Sequence, residues 1–274
     1  MTRFRILWIV ALIGVCGSHE RLLTQLDADE VRPLVRAHAH NDYHHERPLL
    51  DALAHGFCNV EADIFLVGDE LQVGHDRREL RPGRTLQALY LDPLRKRIAE
   101  HGGRVYRDGP SFTLLVDIKT GGPATYAALS AVLAEYADIL SSVEEGKSTQ
   151  RAVQVVISGN RPIADVEAQS LRFAGVDGRV SDLDSQAPAH LLPMISDRWG
   201  KHFRWRGDGP IPPAERQKLR EVVEKSHAAG RLVRFWATPE KVEVWQELLD
   251  ARVDLINTDD LAGLQRFLEE HTDR

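Results

Sequence analysis

Apolar and polar positions along this chain alternate in blocks whose period switches between strand and helix. From Phe57 to Phe65, Val60, Ala62 and Ile64 alternate with Asn59, Glu61 and Asp63, the period of two of an extended strand. From Thr85 to Glu100, Leu86, Leu89, Leu94 and Ile98 fall at helical spacing. Read this way, the chain predicts strands over 35–38, 57–65, 112–118, 152–157, 191–195, 232–236 and 253–256, with a further extended piece at 70–73. Helices are predicted over 48–55, 85–100, 124–140, 213–229, 239–249 and 261–270, punctuated by Gly56, Gly121-Gly122 and Gly230. Residues 160–190 give no clear pattern. Strands alternating with helices imply a parallel sheet, and apolar strands with polar ends suit a sheet covered on both faces.

Two α/β architectures fit that order, a doubly wound open sheet and a (β/α)₈ TIM barrel. Polar clusters sit at the C-terminal end of nearly every expected strand: His38 to Asp42, Glu61 and Asp63, Asp117 and Lys119, Ser158 and Asn160, Trp236, and Asn257 to Asp259. A barrel gathers all of those ends into one active-site face, whereas an open sheet uses only those at its switch point. The pattern therefore favours the barrel.

The first eighteen residues read differently. Arg3 and Arg5 precede an apolar run, Ile6 to Val15, which ends at Cys16-Gly17-Ser18, the layout of a secretory signal peptide. Residues 1–18 are thus expected to be a signal and residues 19–274 a single barrel domain, exported to the periplasm or outside the cell. A lipid anchor on Cys16 is the less favoured form of export, because bulky Val15 precedes it. The ten-residue run is too short to cross a ~30 Å hydrocarbon core, and no integral span is expected in the mature chain. With Cys16 removed, Cys58 stands alone, which excludes an internal disulfide and a thiolate zinc cluster. A net charge of −6 with interspersed signs offers no basic stripe for nucleic acid.

Glu61 and Asp63, two apart on a strand, emerge on one face. Two neighbouring carboxylates repel unless a cation lies between them, and oxygen ligands of this kind suit Mg²⁺ or Ca²⁺. Asp117, within the apolar run Leu114 to Ile118, offers a third carboxylate that needs a partner, and Lys119 lies on the same face. Asp117 and Lys119 also read as a structural ion pair, and Glu61 and Asp63 as a solvated edge. His38 and His75 each end an extended segment beside the acidic pair and can move a proton near neutral pH. The remaining histidines at 44, 45, 55, 101, 202 and 227 read as surface or hydrogen-bonded residues.

Ala37-His38, Val60-Glu61-Ala62-Asp63-Ile64 and Val73-Gly74-His75-Asp76 together resemble the opening signature of the glycerophosphodiester phosphodiesterase family. The similarity continues through Leu115 to Lys119, Gly230 to Thr238 and Val253 to Asp259. The run His38 to Tyr43 with Arg47-Pro48-Leu49, together with Ile195-Ser196-Asp197 and Arg234-Phe235-Trp236, looks like the branch similar to altered inheritance of mitochondria protein 6. The resemblance implies a (β/α)₈ fold of the phospholipase-C-like phosphodiesterase type. It also implies metal binding by Glu61, Asp63 and Asp117, acid and base roles for His38 and His75, and a phosphate contact from Lys119. The substrate would be a small-molecule or lipid phosphodiester. Asn41, three residues after His38 as in the related phospholipase D toxins, and Trp236, as a wall of the head-group pocket, are assigned to substrate binding. The family's arginine and glycine after the first histidine are replaced by Ala39 and His40, leaving Arg47, Arg77 and Arg234 as substitutes for the missing phosphate contact.

Two other readings stand beside this one. His38-Ala39-His40 also resembles the start of a zinc amidohydrolase, which would need further histidines, with His190 the one candidate nearby. A barrel that binds a phosphodiester or lipid without turnover would keep the same ligands.

Overall fold

Short runs rich in Val, Ile and Leu supply the strands, and glycines or turns end them. The computed structural model describes residues 31–271; the expected signal at 1–18, with Cys16, lies outside them. Barrel strands are β1 (Leu34–Ala39), β2 (Phe57–Val67), β4 (Phe112–Ile118), β7 (Val153–Gly159), β9 (Ala174–Gly178), β10 (Met194–Arg198), β11 (Leu232–Trp236) and β12 (Leu255–Thr258). Each pairs in parallel with the next, and β12 pairs with β1, so these eight described strands close on themselves. The open-sheet alternative is thereby excluded. β3 (Glu70–Val73) folds back antiparallel on β2. A small antiparallel sheet of β5 (Ser142–Glu144), β6 (Lys147–Thr149) and β8 (Leu171–Arg172) is added outside the barrel.

Alternation sets the two faces of each strand. Val60, Ala62, Ile64, Leu114 and Val116 are fully buried in the main core with helix residues such as Leu129, Leu219, Leu248 and Leu264. Leu115, Val156, Met194 and Leu255, from four different strands, form a separate apolar cluster. They carry the parity of Glu61 and Asp117, so they fill the barrel interior below its polar mouth. A fully buried Val, Leu or Met contributes about 1.5–3 kcal/mol. A buried unpaired charge costs more than that, so the polar residues above this plug need partners.

Several boundaries differ from expectation for local reasons. The strand expected over 191–195 is Met194–Arg198, because Leu191 and Leu192 close turns onto the Pro188 carbonyl. Helix 85–100 divides at Asp92-Pro93 into a π-helical turn, Gln87–Leu91, and an α-helix, Asp92–Glu100. Helix 124–140 is Gly122–Ala134, and helix 239–249 is Val242–Asp250. The strand Ala174–Gly178 escaped the pattern because Ala-Gly-Val-Asp-Gly has little β-propensity. Packing explains its glycines: a Cβ on Gly175 would lie 2.8 Å from Pro193 Cδ, and one on Gly178 would lie 2.8 Å from Ile195 Cδ1. Among the described residues, no helix is long and apolar enough to cross a membrane.

Candidate active site

Strand register stacks the acidic side chains. Asp63 of β2 pairs with Asp117 of β4, which pairs with Ser158 of β7, so the three form one rung across neighbouring strands. Glu61 lies one rung deeper, level with Leu115 and Val156 of the apolar plug. Ligand oxygens of Glu61, Asp63 and Asp117 all lie within 4.8 Å of one another. This is the acidic trio expected from sequence, assembled from two strands. Gly159, at φ +72°, makes room for it: a Cβ there would lie 2.3 Å from Asp117 Oδ1.

Two cations compensate the trio. Lys119 Nζ lies 3.0 Å from both Asp63 Oδ2 and Asp117 Oδ1. Burial works to lower the pKa of this lysine, but the two carboxylates outweigh it and hold the ammonium protonated. Deeper in, Arg234 of β11 donates to Glu61 Oε2 and, through Nε and Nη2, to Asn257 Oδ1 at 2.9 and 2.6 Å. Burial alone would raise the Glu61 pKa, yet the Arg234 guanidinium, helped by His38, holds it well below the usual carboxylate range. Asp63 is pushed the other way, to about 6, by burial and then by Glu61, with Lys119 opposing. Asp63 Oδ1 is buried without a hydrogen-bond partner. Of the three arginines considered as substitutes, Arg234 reaches the trio, while Arg47 pairs with Asp51 and Arg77 lies over Phe65.

The two histidines sit at different depths. His75 is exposed at the mouth, with Nδ1 3.2 Å from Asp63 Oδ2 and 3.1 Å from the Tyr43 hydroxyl. A carboxylate at Nδ1 favours the Nδ1–H tautomer and leaves Nε2 as the accepting nitrogen. His38 is fully buried on β1, with Nε2 3.4 Å from Glu61 Oε2 and Nδ1 without a partner. Burial, then Arg234, push its pKa down to about 3, so it is a neutral imidazole. His40 is drawn to the rim, where Nδ1 lies 2.8 Å from Asp259 Oδ1.

Asn41 adopts the left-handed conformation at φ 49°, which asparagine tolerates better than most residues. Its Nδ2 donates to Asp259 Oδ1 at 3.3 Å, and its Oδ1 accepts from the Tyr43 hydroxyl at 2.7 Å. Tyr43, absent from the sequence-derived set of functional side chains, also reaches Asp63 Oδ2 at 2.6 Å. It therefore ties Asn41, Asp63 and His75 into one network; its place in the run His38 to Tyr43 was the available signal. Trp236 ends β11 half-buried, outside the hydrophobic core, with the Arg198 guanidinium 5.8 Å from its ring centroid. Asp177 of β9, also missed, is buried against Arg179 at 2.7 Å, Arg161 at 3.6 Å and Ser158 Oγ at 2.8 Å.

The histidine set of a zinc amidohydrolase does not assemble. His190 precedes β10 on the opposite end of the barrel, 2.5 Å from Arg172 Nη2. Among the described residues, the cluster able to hold a metal consists of carboxylates.

The chain is similar to known proteins in sequence and in fold. A family model described as an AIM6-like phosphodiesterase domain matches residues 26–174, and one for the glycerophosphoryl diester phosphodiesterase family matches residues 233–262. Altered inheritance of mitochondria protein 6 of Eremothecium gossypii is 28% identical over 299 residues, covering 93% of this chain and 76% of that protein. The homolog from Arthroderma benhamiae is 26% identical over 267 residues, covering 85% and 83%. In fold, the chain is similar to the crystal structure of a glycerophosphodiester phosphodiesterase from Parabacteroides distasonis, with a TM-score of 0.53 and 15% identity over 88% of this chain and 99% of that one. A glycerophosphodiester phosphodiesterase from Agrobacterium tumefaciens gives 0.50 and 16% over 85% and 99%.

Proposed function

We propose, from the premise that this chain belongs to the AIM6-like phosphodiesterase domain family, that it is a divalent-cation-dependent phosphoric diester hydrolase. Its substrate on this reading is a glycerophosphodiester or a phospholipid-like diester. The observation that carries the proposal is the trio of Glu61, Asp63 and Asp117, with oxygens within 4.8 Å and Lys119 beside them. The donor set fits a hard cation such as Mg²⁺ or Ca²⁺, because it offers only carboxylate oxygens and includes the unpartnered Asp63 Oδ1. Glu61, Asp63 and Asp117 would hold the cation, which when bound supplies Lewis-acid neutralisation of the phosphodiester charge.

The chain's own residues do the rest. Lys119 presents an ammonium at the rung of Asp63 and Asp117, where it stabilises negative charge on a phosphoryl oxygen. His75, through Nε2 at the mouth, and His38, from beneath Glu61, form the acid–base pair. As a neutral imidazole His38 takes the part of the base that removes the proton of the attacking hydroxyl, and His75 protonates the leaving alcohol. When the attacking hydroxyl belongs to the substrate, the first product is a cyclic phosphate; when it is water, hydrolysis is direct. Asn41 and Trp236 orient the head group from the rims of β1 and β11. The basic-then-apolar pattern of residues 1–18 supports an exported protein.

The test is alcohol release from glycerophosphocholine, glycerophosphoinositol, lysophosphatidylcholine, sphingomyelin and bis-(p-nitrophenyl) phosphate, each with Mg²⁺, Ca²⁺ or chelator. Turnover is expected with cation and not with chelator. Glu61→Ala should abolish it, and His75→Ala should lower it roughly 10²–10⁴-fold with an unchanged circular dichroism spectrum. Undiminished turnover in His75→Ala removes the acid–base role. Cation-dependent binding of these diesters without turnover would instead make the barrel a binding protein.

A further inference from the structure

A second cavity lies at the other end of the barrel. Because the strands are parallel, their N-terminal ends form one face, opposite the carboxylate trio. A cleft of about 400 Å³ opens there. Its lining includes Ser111 before β4, Gln154 of β7, Leu232 of β11, Ser148 and Thr149 of the hairpin strand β6, and Phe173. Arg172, at the end of β8, lines this cleft and also a second one of about 320 Å³ beside it.

Arg172 is 5% exposed. Nη2 donates to His190 Nδ1 at 2.5 Å, a neutral acceptor, and Nε is buried with no partner. Glu145 and Glu167 line the second cleft; the charge of Glu167 acts on Arg172 from there, but no ion pair joins them among the described residues. Of the other buried arginines, Arg234 has Glu61, while Arg231, whose Nε also lacks a partner, spends both terminal nitrogens on the carbonyls of Asp182, Ser185 and Ala187. A buried cation with no direct ion-pair partner is costly, and its planar fork matches a carboxylate or phosphate.

We infer that this cleft is a binding site for a small organic anion, whose carboxylate or phosphate takes the Arg172 guanidinium between the two clefts. The hydroxyls and amides of Ser111, Ser148, Thr149 and Gln154 supply donors for the remaining oxygens, and Phe173 and Leu232 face an apolar body. The occupant does not compete with a phosphodiester, since the two sites open at opposite ends of the barrel.

The experiment is calorimetric titration of the purified full chain with inorganic phosphate and with succinate, at constant ionic strength and in chelator. The proteins compared are wild type, Arg172→Met, Ser148→Trp and Lys119→Ala. Wild type and Lys119→Ala should bind at least one anion with equal affinity. Arg172→Met should lose at least tenfold, and Ser148→Trp, which fills the cleft from an exposed hairpin position, should lose as much. The phosphate and succinate arms show which head group is preferred. Equal affinity in wild type and Ser148→Trp, loss of binding in Lys119→Ala alone, or no binding of either anion overturns the inference. Should Arg172→Met not fold, Ser148→Trp decides.

Discussion

Replacing Arg234 by glutamine puts the charge balance of the barrel interior to a quantitative test. Glu61 and Arg234 are 5% and 2% exposed, so neither charge is relieved by solvent once its partner is lost. Removing one member of a buried ion pair costs about 3–5 kcal/mol. Asn257 Oδ1 also loses contacts that now stand at 2.9 and 2.6 Å, each a hydrogen bond of about 0.5–1.5 kcal/mol. The expected loss is roughly 4–8 kcal/mol, a large part of the ~5–15 kcal/mol available to a domain. Urea unfolding at neutral pH measures it, alongside Glu61→Gln and the double variant. The double variant should recover most of the loss, since no buried carboxylate is then left unpaired. Glu61 has a folded pKa below its ordinary 4.5, so its contribution is present above that pH and fades as pH falls through the folded value. The gap between wild type and Arg234→Gln should therefore narrow in acid. A cation held by the trio would take over part of the role of Arg234, so Mg²⁺ or Ca²⁺ should raise the stability of the variant more than that of wild type. A loss under ~1 kcal/mol, the size of an exposed pair, or no recovery in the double variant, refutes the reasoning.

Two further predictions follow from neighbouring groups. Asp42 is buried, accepts from the Leu49 amide at 2.6 Å and has its pKa raised by burial from 3.8 to about 7; stability should fall as pH rises from about 4 to 7, by roughly 4 kcal/mol at most. Asp42→Asn should flatten that slope in thermal melts across this range, and an unchanged slope would show that another group is responsible. Tyr43→Phe removes the hydroxyl that joins Asn41, Asp63 and His75, and calorimetry should show cation affinity reduced about 10–100-fold with little change in melting temperature.

Much of this molecule is legible from local pattern, and the reason is the short range of the signals. A period of two decides that Glu61 and Asp63 share a face with Asn59 and that Val60 and Ala62 oppose them, whatever the strand pairs with. Asp117 and Lys119 follow by the same rule, and the alternation of strands with helices limits the sheet to a parallel one. The strand at Ala174–Gly178 stayed hidden because its glycines answer to Pro193 and Ile195, side chains distant in sequence.

Tertiary structure alone decided depth and partnership. Closure of β12 onto β1 brings Arg234 to Glu61 across 173 residues, and no local pattern ranks it above Arg47 or Arg77. Register sets Glu61 against the apolar plug and Asp63 at the mouth, which gives chemically similar residues opposite pKa shifts. The same closure buries His38, leaves His75 in the open and sends His190 to the far face beside Arg172. Sequence determines which way a side chain points from its own strand; only the closed barrel determines what stands opposite, because those contacts join strands that the chain itself keeps far apart.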